Sequence, residues 1–363
     1  QIVELDEETF TLTVEPGVLL GDIHNYVESR GYFYPPDPAS KHSTIGGNVA
    51  TNAGGLRAVK YGTTRDYVRQ MTVVLPSGES MTLGSLNIKS SSGYDLLDLF
   101  IGSEGTLGIT TEIKLKVLPL PAVRSSILLA FTDVFKATEA TLEILSSGAN
   151  PSEVELFEKD AVFYAEQHVG FPLQTDRGEA YLLVEIDGND PKELEGRMRL
   201  LMTSIQDLAL EAVSLNEETD KMRAKQIRDN ILIGLMAYTE YEMLDEVVPI
   251  NKFAELIQYT KTLQEKHGLK VLNFGHAGDG NLHIYVCKDN MSEEQWNKKL
   301  NTAFDYFYDK AIENEDLNLV PKSPGQKYRH YSPKANMEVF TGETSLVVKE
   351  IIKKVNDYTK EGL

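Results

Sequence analysis

The chain has 363 residues, of which 41% are hydrophobic and 25% charged, and a formal net charge of -19 at pH 7. That size suits two domains with a sizeable core, and the acidity argues against sequence-independent nucleic-acid binding or docking to an anionic membrane. A single cysteine, Cys287, excludes an internal disulfide framework, a cysteine-ligated zinc finger and an iron–sulfur cluster held by this chain alone.

No apolar run approaches membrane-spanning length and no signal peptide is visible, so a cytoplasmic location is the default expectation. Gln1-Ile-Val-Glu-Leu5 begins inside a strand pattern without an initiator Met, so the chain is expected to lack an N-terminal portion. Phe10 to Val14 reads as a strand, and Val18 to Arg30 as a helix ended by Gly31. Val73 to Leu75, Pro76-Ser-Gly78 and Ser80 to Leu83 make a hairpin, and Ile109 to Val117 a further strand. Leu118-Pro-Leu-Pro121 then marks a domain boundary.

Beyond it, strands and longer helices alternate. Ser126 to Phe131 reads as a strand, Asp133 as the cap of a helix toward Ser147, and Ala180 to Ile186 as an apolar strand. Asp190-Pro191 starts a helix with Leu194, Met198, Leu201, Ile205 and Leu208 at three- and four-residue spacing. A helix from Asn251 to His267 ends at Gly268. The pattern predicts an α+β layer, an antiparallel sheet covered on one face. Ser345 to Tyr358 also has a helical pattern.

Two kinds of segment carry chemistry. In Gly275-His-Ala-Gly-Asp-Gly-Asn-Leu-His283 a tight turn joins strands Val271–Gly275 and Leu282–Lys288. The period of two puts His283, Tyr285 and Cys287 on one face and Leu282, Ile284 and Val286 on the other. His276 lies at the mouth of that hairpin, where the two imidazoles suit a divalent metal or an acid/base pair. Taken alone, such a hairpin is more often a solvated turn. The other kind is glycine-rich: Pro35 to Gly55, and Gly102-Ser-Glu-Gly-Thr-Leu-Gly108. Gly46, Gly47, Gly54 and Gly55 allow close backbone approach, and Ser43, Thr44, Asn48, Thr51 and Asn52 offer hydroxyls and amides for pyrophosphate or a heteroaromatic edge. Neither run is a Gly-x-Gly-x-x-Gly opening a helix after a strand, and no Walker A loop is present.

With Pro36-Asp-Pro-Ala-Ser40, Ile45-Gly-Gly-Asn-Val-Ala-Thr-Asn-Ala-Gly-Gly55, Gly93-Tyr-Asp-Leu96, Gly102 to Ile109 and Gly275 to His283 in this order, the chain resembles FAD-linked oxidases of the vanillyl-alcohol-oxidase type. The branch is that of D-lactate dehydrogenase, the glycolate oxidase D subunit and D-2-hydroxyglutarate dehydrogenase. The resemblance covers residues 1 to about 310. It implies a partial FAD-binding domain over residues 1–118, lacking its N-terminal subdomain, a ferredoxin-like antiparallel-sheet substrate cap over 119–320, and an atypical tail over 321–363. It further implies FAD contacts from Pro36, Ser43, Ile45, Gly46, Gly47, Asn48, Thr51, Asn52, Ala53, Gly54, Gly55, Gly62, Thr63, Asp66, Glu104, Gly105 and Ile109. His276 and His283 match two ligands of a divalent metal (zinc, iron or manganese) that grips the hydroxy acid. Arg228 matches an arginine that pairs with substrate carboxylate, a role suited to its bidentate fork. The neighbouring Arg223 and Lys225 leave a solvated helix face as the alternative, and Lys252, at a basic position of the family, reads as a surface lysine.

The family's Arg-Gly-x-Gly-Thr-Gly-like pyrophosphate loop and its Ser-Gly-Glu-His-Gly-Ile-Gly segment are both absent. Where the latter is expected stands Asn318-Leu-Val-Pro-Lys-Ser-Pro-Gly-Gln-Lys-Tyr-Arg-His330. Glu313, Glu315, Asp316 and His330 read as solvated residues. The expectation is a flavin-dependent dehydrogenase of a small 2-hydroxy acid, D-lactate or glycolate foremost. Its electrons would pass to an electron-transfer flavoprotein, an iron–sulfur subunit or quinone. The rival is a catalytically incomplete homologue kept for binding or assembly. A metal hydrolase ranks last, since no glutamate base stands at metal-motif spacing.

Overall fold

A computed structural model of the protein describes residues 1–301 and 303. The tail expected over 321–363, its helix at Ser345–Tyr358, and Glu313, Glu315, Asp316 and His330 lie outside the described residues. These divide into two compact units, residues 1–121 and 122–303.

In the first unit the elements run β1 (Ile2–Asp6), β2 (Thr11–Val14), α1 (Leu20–Glu28), β3 (Tyr32–Phe33), α2 (Ile45–Thr51), α3 (Ala58–Tyr61), β4 (Val68–Val74), β5 (Ser80–Gly84), α4 (Leu96–Phe100), β6 (Ile109–Lys116) and β7 (Leu118–Pro119). Five strands form an antiparallel sheet in the order β1-β2-β6-β4-β5, and β3 pairs with β7. On β6, Thr111, Ile113 and Leu115 alternate inward, as a half-buried strand requires. Leu20, Ile23 and Val27 of α1, three and four residues apart, enter the same core.

The glycine-rich run holds a helix where its composition suggests loop. Thr44 caps α2 by accepting a bond from Gly47 N at 3.2 Å, and Asn52 ends it in the left-handed conformation at φ 51. Two adjacent glycines weaken the helical signal, which is why the sequence hides it. Gly46 is there for space, since an added Cβ would stand 2.5 Å from Pro16 Cβ.

The second unit is built on β8 (Val123–Phe131), α5 (Val134–Ser146), β9 (Glu153–Glu158), α6 (Lys159–Val169), β10 (Ala180–Gly188), α7 (Pro191–Ser204), β11 (Glu211–Leu215), α8 (Glu218–Asp229), α9 (Ile231–Tyr238), β12 (Tyr241–Val247), α10 (Phe253–His267), β13 (Lys270–His276) and β14 (Asn281–Cys287). Its sheet is antiparallel throughout, in the order β11-β8-β10-β9-β13-β14-β12. The first four positions are the ferredoxin-like order of a β-α-β-β-α-β unit, and β13, β14 and β12 extend it. Asp133 accepts from Lys136 N at 2.9 Å and Pro191 opens α7, so both start signals act as read.

One expectation is corrected. The sheet is covered on both faces, not one. Ile127, Leu129 and Phe131 of β8 join a core with α5, α7 and α10, while Leu128 and Ala130 join another with α6, α8 and α9. The second helical layer lacks a readable period: α8 is densely charged, and α9 (Ile-Leu-Ile-Gly-Leu-Met-Ala-Tyr) is apolar all round.

Candidate functional site

In the first unit the glycine-rich segments are tied together by backbone bonds. Gly102 N donates to Val49 O and Glu104 N to Ala50 O, both at 2.9 Å. Asn52 Oδ1 accepts from Thr63 Oγ1 at 3.0 Å and from Arg65 N at 2.9 Å, and Thr64 N reaches Ala53 O. The end of α2, residues 62–66 and residues 101–105 therefore form one neighbourhood. Gly47, Thr51, Glu104 and Gly105 are exposed there, and Asn52, Ala53, Gly54, Gly62 and Thr63 are half-buried.

Other members of the expected cofactor set also make contacts within the chain. Ile45 and Asn48 are buried in α2. Asp66 caps a short 3-10 turn by accepting from Thr63 N at 2.7 Å. Ser43 Oγ donates to Ser40 O, and the Pro36 carbonyl lies 3.0 Å from His24 Nε2. Ile109 opens β6 opposite Val74. Gly55, at φ +134, has no room for a side chain, since an added Cβ would stand 2.5 Å from Pro38 N.

In the second unit the sheet face toward α8 carries the charged cluster. His276 of β13 and Glu155 of β9 are direct cross-strand partners, so their side chains emerge on the same face. His276 Nδ1 lies 2.6 Å from Glu155 Oε1. Arg228, from α8, donates through Nε to Glu155 Oε2 at 2.7 Å and places Nη2 2.6 Å from the same oxygen. Arg228 Nη2 stands 3.4 Å from His276 Nδ1. All three are buried: Glu155 is 1% exposed, Arg228 and His276 7% each. His283 of β14 meets His276 edge to face, with ring centroids 5.2 Å apart. Phe274 stacks on Tyr285 at 4.7 Å and closes the apolar side of the group.

Burial alone would raise the Glu155 carboxyl, but the charges of Arg228 and His276 outweigh it and hold it at about 2. Burial pulls His276 down, yet Glu155 leaves it raised. Burial, reinforced by His276, pushes His283 down to about 4. His283 is thus neutral at pH 7, and its 3.8 Å approach to Asp245 Oδ1 is no ion pair. Asp245 instead accepts from Asn281 Nδ2 at 2.6 Å. Burial raises Asp279, in the turn between the histidines, to about 6.

Arg228 lies at the buried face of its helix and not among solvated charges. Lys225 does likewise, with Nζ 3.3 Å from both Glu153 and Glu185. Arg223 sits over the Phe171 ring. Lys252 pairs with Glu255 at 2.7 Å, as a surface lysine does. Sequence reasoning missed Glu155, Asp245 and Asp279. The available signal was Glu153-Val-Glu-Leu156, in which Glu153 and Glu155 alternate with Val154 and Leu156 at the period of a strand. Among the described residues, no group of three or more His, Cys, Asp or Glu side chains is arranged to hold a metal ion.

Residues 120–315 match the family described as FAD linked oxidases, C-terminal domain, and residues 1–84 a FAD binding domain. Residues 291–363 match a third description, threonylcarbamoyl-AMP synthase, C-terminal domain. The chain is 42% identical to D-lactate dehydrogenase of Anaerostipes hadrus over 326 residues, 86% of this chain and 67% of that protein. It is 36% identical to the glycolate oxidase subunit GlcD of Bacillus subtilis, again over 86% of this chain and 67% of the relative. A D-2-hydroxyglutarate dehydrogenase of Xanthomonas citri is 32% identical over 86% of this chain and 68% of its own length. The chain thus spans about two thirds of these relatives. Among solved structures, p-cresol methylhydroxylase with substrate bound superposes at a TM-score of 0.68 and 16% identity, covering 86% of this chain and 68% of that one. An alkyldihydroxyacetonephosphate synthase superposes at 0.64 and 19%, covering 85% and 61%. These two speak for the fold alone. Two ordered family matches and this set of relatives lead to one conclusion: the chain belongs to the FAD-linked oxidases, in the branch of D-lactate dehydrogenase, GlcD and D-2-hydroxyglutarate dehydrogenase.

Proposed function

We propose that the chain is part of a flavin-dependent dehydrogenase that oxidises a small 2-hydroxy acid, D-lactate or glycolate foremost. The carrying observation is the set of buried Arg228, Glu155 and His276 with half-buried His283 on one sheet face, in a chain whose relatives include a D-lactate dehydrogenase and a glycolate oxidase subunit.

Bound FAD supplies the acceptor for a hydride from the substrate α-carbon. The first unit suits it: Gly105 has nothing within 4 Å of where a Cβ would stand, and exposed Gly47 and Thr51 flank Val49 and Ala50, which bond to Gly102 and Glu104. A divalent ion (zinc, iron or manganese), where bound, would supply Lewis-acid chemistry to the substrate hydroxyl. His276 and His283 offer two donors where a zinc site takes at least three from the protein, and no such group is arranged for a metal among the described residues.

The chain's own part is orientation and charge. Glu155 occupies the Nε and Nη2 edge of Arg228, so the Nη1 edge, 3.6 Å from the exposed Asp229 carboxylate, is what remains for a substrate carboxylate. Phe274 and Tyr285 stack beside the charged cluster and limit water on that side. With one cysteine in the chain, electrons would leave to a partner such as an electron-transfer flavoprotein, an iron–sulfur subunit or quinone. No helix among the described residues is long and apolar enough to cross a membrane, and the cytoplasm is the compartment we assign.

A second reading, a homologue retained for binding or assembly, is favoured by the absence of Glu-His-Gly from the sequence. The purified protein, loaded with FAD and mixed anaerobically with D-lactate or glycolate, separates the two. Loss of flavin absorbance is expected. Flavin that binds but is bleached by neither acid refutes the dehydrogenase and leaves the second reading. His283→Ala is expected to abolish bleaching with flavin still bound, and unchanged turnover would refute the role of His283.

A further inference from the structure

We infer that Lys225 is a positioning residue for Arg228: its ammonium, set between the carboxylates of Glu153 and Glu185, makes the second of two ionic contacts that fix how α8 lies on the sheet. The inference rests on the reading above in which Arg228 meets the substrate carboxylate. Lys221, Lys225 and Arg228 fall at spacings of four and three along α8, so they share one helix face. Beneath it, Glu153 and Glu155 stand two apart on β9 and emerge on the same side of the sheet. Glu185 of β10 is the direct cross-strand partner of Glu153, and Ser126 of β8 that of Glu185. Glu153 is 1% exposed and Glu185 4%. Like charges set directly opposite each other destabilise a strand pair, and burial sharpens the cost. Lys225 Nζ answers both, at 3.3 Å from Glu153 Oε2 and 3.3 Å from Glu185 Oε2. Ser126 Oγ donates to the latter oxygen at 3.2 Å, and Arg124 Nε lies 4.0 Å from Glu185 Oε1. The pairing of Arg228 with Glu155 holds α8 at one point only. Ala224 and Ile227 pack beside it, but apolar contact has no direction. The Lys225 contact, about 4.5 Å back along the helix axis, supplies a second point, and two points fix a bearing. The Nη1 edge of Arg228, beside Asp229, is thereby held in one direction.

Lys225→Met keeps the length of the side chain and removes its charge. In arginine-labelled protein the Arg228 Nε proton, identified by its loss in Arg228→Lys, should exchange with water about 10-fold faster in Lys225→Met than in the parent, the scale of one charged hydrogen bond. The D-lactate concentration that half-maximally bleaches the FAD-loaded chain should rise by a similar factor. Lys225→Arg should restore both. The double variant Lys225→Met with Glu153→Gln separates positioning from charge balance. It removes the opposed carboxylates yet leaves α8 without its second contact, so exchange should stay fast and the half-maximal concentration high. It also serves where Lys225→Met alone fails to fold. Recovery of both readouts in the double variant would overturn the inference, as would parental exchange in folded Lys225→Met or a loss that Lys225→Arg does not repair. If D-lactate bleaches Arg228→Lys as it does the parent, or bleaches neither, the carboxylate reading is wrong, and the Arg228 exchange still judges Lys225.

Discussion

Gly234 sits inside α9, where that helix meets α6. A Cβ added there would overlap the Tyr164 carbonyl oxygen, with the carbonyl carbon at 2.6 Å and Ala165 N at 3.1 Å. The obstacle is backbone, so no rotamer change relieves it, and the two helices must part by roughly 1 Å to restore contact. Against this, replacing glycine by alanine inside a helix stabilises by about 1 kcal/mol. Overpacking costs about 1–3 kcal/mol, and overlap with backbone belongs at the upper end. The clash wins: Gly234→Ala should destabilise by about 2 kcal/mol. For a unit of this size that lowers the midpoint of thermal unfolding by about 4–8 °C. Gly196 in α7 is the matched control, since its added Cβ meets only Arg199 Nη2 at 3.8 Å. Gly196→Ala should stabilise by about 0.5–1 kcal/mol. Calorimetric melts of both variants check the opposite signs, and a Gly234→Ala protein melting at or above the parent would refute the close approach of α6 and α9.

Arg228→Met leaves Glu155 buried with only His276 to offset its charge, and should cost about 3–5 kcal/mol by urea unfolding. Adding Glu155→Leu should recover part of that loss, and a double variant no better than the single would show that the pair is not coupled. Cys287, buried and with its thiol pushed up by burial to about 12, should resist Ellman's reagent at pH 8 and react with one equivalent after denaturation. Rapid reaction in the native protein would contradict its placement.

The strands around the histidine hairpin were legible because an alternating pattern with two covered faces leaves little choice of register. Leu282, Ile284 and Val286 face the core with α10, and Tyr285 and Cys287 the core with α6. Capped and Pro-started helices were legible for the same local reason, a signal carried within one turn. The partnership of Glu155 with His276 spans 121 residues, and nothing local to either residue announces it. A glutamate inside an apolar strand reads as solvent-facing until a cation from another element is brought over it. Lys225 and Arg228 do that from a helix whose composition alone suggests a surface. In the glycine-rich run, the close contacts of Gly46 with Pro16 and of Gly55 with Pro38 of the same chain were not legible, since their partners lie outside any local pattern.

The register that pairs Glu155 with His276 divides the cluster by how firmly its parts are held. Those two residues ride on neighbouring inner strands of a seven-stranded sheet, where opening either one exposes both cores. Arg228 rides on a single amphipathic helix laid over them. A substitution in α8 would therefore alter what faces the carboxylate while the strand pair keeps its spacing.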